Sequence, residues 1–142
     1  MSTKQNLKTF FLPIGLMVLI TISSSIPMDA AHADKWYASL EPNIQNLIHI
    51  PVFALLSYLW AQTLTKSFFR NILLSAAVIT ILFGCFDEFH QVFVPGRYAG
   101  LLDIMLDTAG AVIGVIAFKY LSTTKSKNQS PAETLKNEGY GQ

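Results

Sequence analysis

Asn71–Gln91 reads NILLSAAVITILFGCFDEFHQ. It stays apolar as far as Phe86, then turns polar at Asp87-Glu88-Phe89-His90-Gln91. A bilayer core about 30 Å thick needs roughly 20 apolar residues in helix. Hydrocarbon satisfies no backbone polar groups, so an apolar run of this length predicts a helix. Three other segments qualify: 10–26; 44–64, whose one ionisable side chain in that range besides Tyr58 is His49; and 101–121, which carries Asp103 and Asp107. With the third span read as 71–90, the expected fold is all-α. It is a polytopic integral membrane protein, a small bundle of four transmembrane helices.

The composition agrees. Of 142 residues, 51% are hydrophobic and 13% charged, and the mean hydropathy is +0.41. An ordinary soluble domain carries about 25% charged residues. The apolar content excludes a disordered chain. The single cysteine, Cys85, excludes a disulfide scaffold. A net charge of +1 gives no sign of a nucleic-acid partner.

The connections are short. Val94-Pro95-Gly96-Arg97 has proline second and glycine third, which suits a type II turn. Beyond Leu121 the chain is rich in Ser, Thr, Lys and Asn, so 122–142 is read as a disordered tail. Charge placement sets the orientation. Lys4, Lys8, Lys66, Arg70, Lys119, Lys125, Lys127 and Lys136 fall on one side of a four-span bundle, and only Lys35 and Arg97 on the other. The acids do the reverse: Asp29, Asp34, Glu41, Asp87, Glu88, Asp103 and Asp107 lie toward the second side. Both termini, the tail included, are therefore expected in the cytoplasm. Ala31-His32-Ala33 imitates a signal-peptide cleavage site, but the stretch before it carries Pro27 and Asp29, and the first span is read as uncleaved.

Ionisable groups inside a membrane are costly and mark candidate sites. At 1.5 Å per residue, Asp107 lies about 9 Å below Leu101 and His49 about 7.5 Å below Ile44, while Asp103 falls in the first turn. Asp103, Asp107, Gly110, Gly114 and Ala117 form one helical stripe, whose small residues admit close helix packing. Gly84, Glu88 and Gln91 share a stripe on the third span, and Gln45, His49, Val52 and Leu56 one on the second. Pro51 is tolerated there near a helix start.

The outcome is one outward-facing constellation: His49, Glu88, Gln91, Arg97, Asp103 and Asp107. Asp87 and His90 flank the Glu88 stripe, and Asp87, Glu88, His90, Gln91 and Arg97 are expected to ring the outer mouth. Arg97 is placed to fork with Glu88 or Asp103, or to meet an anionic ligand. A purely structural hydrogen-bonded cluster fits the same pattern. Cys85 is expected to be a small apolar filler; Trp36, Tyr37, Tyr98 and Trp60 are expected to be interfacial anchors. Glu88 and His90, two apart on a helix, make no strong metal signature. Zinc would require His49 plus carboxylates from other helices, and neither metal nor cofactor is expected.

The run from Asp87 to Arg97, followed by Asp103-Ile104 and the Gly110…Gly114 span, resembles the VanZ-like family: Glu-x-x-Gln, a Pro-Gly-Arg turn, an Asp-Ile pair, a glycine-rich last span. His49 resembles the family's histidine at an earlier span. The likeness covers about residues 44–118, within a membrane domain of 1–121. The chain departs from it at Gln45-Asn46, where the family often has Asp-Lys, and at Asp107, where it often has Asn. The resemblance implies a multi-pass protein of the bacterial cytoplasmic membrane. It implies action at the outer face, in resistance to glycopeptide antibiotics such as teicoplanin or in cell-envelope homeostasis.

Three functions follow. The first is a non-enzymatic factor whose partners are membrane lipids, lipid-linked envelope precursors or an amphiphilic antibiotic. The second is a membrane-embedded hydrolase or transferase on a lipid-linked substrate, with His49 as general base, Asp107 orienting it and Arg97 stabilising negative charge. No serine or cysteine nucleophile stands out. The third is a structural or partner-binding subunit.

Overall fold

The computed structural model describes residues 3–27, 47–65, 71–97 and 100–129. Among these residues the secondary structure is all helical: α1 (Thr3–Ser24), α2 (His49–Leu64), α3 (Ile72–Gln91) and α4 (Leu101–Gln129). α3 and the 24 residues Leu101–Thr124 of α4 are long and apolar enough to cross a membrane. The apolar part of α1, Thr9–Ser24, is shorter.

Local sequence explains the boundaries. Pro51 stands in the first turn of α2, where its missing N–H costs nothing. The expected start at Ile44 lies outside the described residues. α3 runs into the expected type II turn: Gly96 has φ 76°, and Arg97 N–H donates to Val94 O at 3.1 Å. Only glycine takes that φ without strain. α4 continues past Leu121 to Gln129, so the tail expected to be disordered from 122 is helical over its first eight residues. No glycine or proline interrupts Val115–Gln129.

Packing is most extensive between α4 and α2; α3 lies against both. The α4 stripe packs as expected. A Cβ added at Gly110 would come within 2.6 Å of Ile50 O, and one at Gly114 would collide with Ala54 O. Backbone therefore lies on backbone along this seam. The apolar core is Phe53, Leu56, Trp60, Ala61 and Leu64 of α2 with Ala76 and Phe83 of α3. α1 touches α2 and α3 but not α4 among the described residues.

Polar side chains share the interior with the apolar core, and the exterior is apolar. Buried polar residues include Ser57, Thr80, Asp87, Glu88, Gln91 and Asp107. Leu12, Leu19, Leu55, Leu82, Phe89 and Ile116 are exposed, with similar side chains on every helix. An exterior this apolar suits lipid contact rather than water.

Two expectations are corrected. Trp60 is only 9% exposed and packs edge-on against Phe10, with ring centroids 6.2 Å apart. It belongs to the core, not to an interfacial belt, because α1 covers it. Cys85 is exposed. It follows Gly84, which faces the bundle, and the helical period turns the next residue away. Trp36, Tyr37 and Tyr98 lie outside the described residues, as does the Ala31-His32-Ala33 segment.

Candidate functional site

His49 opens α2, Glu88 and Gln91 end α3, and Asp107 stands in the second turn of α4. The bundle brings these four together. His49 Nδ1 lies 2.8 Å from Asp107 Oδ1. One ligand atom from each of His49, Glu88 and Asp107 falls within 4.8 Å of the others. Asp107 is 1% exposed and Glu88 3%. Gly84 makes room for the aspartate: a Cβ there would stand 2.8 Å from Asp107 Oδ2. Among the described residues that oxygen has no hydrogen-bond partner. The expected pairing of His49 with Asp107 across two helices is therefore present.

Glu88 is held by groups near the α3–α4 turn. Gly100 N–H donates to its Oε2 at 3.2 Å, and Gln91 Nε2 to its Oε1 at 3.3 Å. Gly100 immediately precedes α4, so the carboxylate sits at that helix's N-terminus. The unpaired N–H groups there favour an anion. Asp103 stands one turn further on, where its Oδ2 would be 3.0 Å from a Cβ added at Gly100. Its buried Oδ1 has no hydrogen-bond partner among the described residues.

Arg97 does not make the expected fork. Its Nη2 donates to Ser23 O at 3.0 Å and its Nε to Ile26 O at 3.4 Å. Ser23 O belongs to the last turn of α1 and Ile26 O lies just beyond it, where a cation is favoured. Among the described residues Arg97 pairs with no carboxylate, and the ion pair made by the site's acids is the one with His49.

The acids do not ring an open mouth either. Asp87, Glu88 and Gln91 are buried at 2%, 3% and 5%. Asp87, expected to flank the site, is a member of the polar interior. Ser24 Oγ donates to its Oδ1 at 2.7 Å, and Gln91 Nε2 to its Oδ2 at 3.0 Å. The i, i+4 spacing of Asp87 and Gln91 is the signal that sequence offers for this pair. Nothing local marks Ser24, which lies 63 residues away in sequence. His90 Nε2 stands 2.9 Å from Ser25 Oγ, farther out.

Beside this network lies a cavity of about 390 Å³ between α1, α2 and α3. Leu16, Leu19, Ile20, Ile48, Val52 and Phe53 form its apolar walls, and Ser23, Ser24, His49, Asp87, Gln91 and Arg97 its polar end. The arrangement can hold an elongated molecule with one polar terminus, and it presents a histidine oriented by a buried carboxylate.

No curated protein and no solved structure matches the chain significantly. The sequence profile of VanZ/LLP1 matches residues 4–122. That match takes in α1 to α3 and α4 as far as Ser122, with every residue of the buried network, and the chain belongs to the VanZ/LLP1 family.

Proposed function

We propose that the protein is a four-span membrane protein that binds an amphiphile by its polar head at the outer face of the bacterial cytoplasmic membrane. Both termini lie in the cytoplasm in this reading, as the lysine and arginine distribution favours. The observation that carries it is the cavity: six apolar residues along its walls and six polar ones at one end, a few residues from the outer ends of α1 and α3. Pockets of about 300–1,000 Å³ with few convergent polar groups suit small ligands. Arg97 has guanidinium N–H groups beyond those on Ser23 O and Ile26 O to offer a head group, and Leu16, Leu19 and Ile20 offer a surface for the chain. The biological role is resistance to glycopeptide antibiotics such as teicoplanin, or upkeep of envelope lipids.

Two measurements test this. Lipid co-purifying with the protein should be displaced or depleted when the cavity is filled through Val52→Trp, at unchanged helicity. Deletion of the protein should change teicoplanin susceptibility, and Gln91→Ala at equal expression should reproduce part of the change. An unaltered susceptibility on deletion removes the antibiotic role, and unaltered lipid content in the filled variant removes the pocket.

The His49–Asp107 pair favours a second reading, a hydrolase or transferase on a lipid-linked substrate. An imidazole oriented by a carboxylate is a competent general base. Comparison of extracted lipids from wild-type and deletion strains separates the two: a binding factor leaves no substrate to accumulate, an enzyme does.

A further inference from the structure

We infer that His49, Glu88 and Asp107 form a binding site for a divalent transition-metal ion, with zinc the best match to the donors. The inference is independent of the amphiphile reading, and its test contains no lipid.

The argument begins with charge. Two carboxylates stand within 4.8 Å of each other and of an imidazole, and both are buried. Buried carboxylates need compensation. Arg97, the nearest candidate on the α3–α4 turn, is committed to the carbonyls of Ser23 and Ile26. Protonated His49 answers one of the two carboxylates; a divalent ion that displaces that proton meets an imidazole and two negative charges, and brings the sum to zero.

Geometry agrees. Zinc bonds to imidazole nitrogen and carboxylate oxygen at about 2.0–2.2 Å, so tetrahedral donors stand about 3.3 Å apart. Donor atoms already within 4.8 Å need only small rotations to close on an ion. The three ligands come from three helices, which fixes their relative positions.

A second observation points to a ligand independently of the acid cluster. Among the described residues Asp107 Oδ2 is buried without a partner, in a residue that is 1% exposed. An orphaned carboxylate oxygen is costly unless something binds it. The ligands are also oriented from behind. Gln91 and Gly100 hold Glu88, and such outer hydrogen bonds are the usual support of metal-binding side chains. An imidazole among the donors favours zinc over magnesium or calcium.

Binding of Co²⁺ and Zn²⁺ to the chelator-stripped protein in detergent tests this. One equivalent of Co²⁺ should bind per chain, give visible d–d absorption, and be displaced by Zn²⁺ but not by Mg²⁺. Glu88→Gln and Asp107→Asn should each weaken Zn²⁺ binding about a hundredfold or more, and Cys85→Ser should leave it unchanged. Zn²⁺ should also raise the thermal midpoint of the wild type, a readout that stands even if a variant fails to fold. Absence of stoichiometric binding by the wild type overturns the inference. So does binding that survives both carboxylate substitutions, or that is lost with Cys85.

Discussion

The α2–α4 seam and the contact of α1 with the rest of the bundle are built on different principles. Along the seam, Gly110 and Gly114 bring α4 onto the backbone of Ile50 and Ala54, with no room for a methyl group. α1 is instead fastened at its two ends. Near one end Thr63 Oγ1 shares its proton between Thr9 O at 2.9 Å and Leu59 O of its own helix at 2.8 Å. At the other, Ser24 meets Asp87 and Arg97 meets Ser23 O. Between these fastenings lie the 390 Å³ cavity and a second recess lined by Ile14, Met17, Val18, Ile22, Trp60 and Phe83, with Thr21. Shape complementarity gives rigidity and leaves no space. Polar fastenings at the ends hold a helix while keeping a hollow beside it.

The seam is where substitution should do most damage. Gly114→Val places a branched side chain against Ala54 O, and overpacking of this kind costs about 3 kcal/mol. Thermal unfolding in detergent should show a large drop or no folded protein. A variant of wild-type stability would mean that the seam yields as readily as the α1 contact. Asp107→Ala comes next. It removes the partner of His49 and leaves a gap beside Gly84, at a cost of about 2 kcal/mol. Denaturation measured beside His49→Ala and the double variant should show coupling, and additive losses would mean that the 2.8 Å contact contributes nothing.

The α1 fastenings should be weaker. Arg97→Ala frees the carbonyls of Ser23 and Ile26 at a cost of about 1 kcal/mol. Amide exchange in the last turn of α1 should speed up about fivefold while that in α4 is unchanged. Equal acceleration in both would erase the distinction between the two regions. Cys85→Ala should change stability by less than about 0.5 kcal/mol, because the side chain faces outward. A larger loss would place Cys85 inside an interface that the single chain does not reveal.

What can be read from sequence here is periodic or local. The stripe of Asp107, Gly110 and Gly114 follows from 3.6 residues per turn, and the Pro95-Gly96 turn follows from two residues' backbone preferences. The meeting of His49 with Asp107 follows from rough depth alone. The partner of Arg97 cannot be read, because backbone carbonyls leave no mark in side-chain identity and these lie more than 70 residues away. Glu88 and Asp103 are the more conspicuous choices. Trp60 reads as a membrane anchor until α1 is seen to cover it. Asp87 looks peripheral when the stripe through Glu88 stands for the whole buried face. The face is wider, and takes in Ser24 from a helix that sequence periodicity does not dock.

The apolar exterior of the bundle has a thermodynamic consequence. Leu12, Leu55, Leu82 and Ile116 are outside already, so in lipid or detergent they are out of water before the helices meet. Separating the helices then transfers little apolar surface into water. The heat-capacity increment of that step should be small, and its stability should vary with temperature along a nearly straight line rather than the curved profile of a water-soluble domain. Cold should not loosen this protein as it loosens a soluble one.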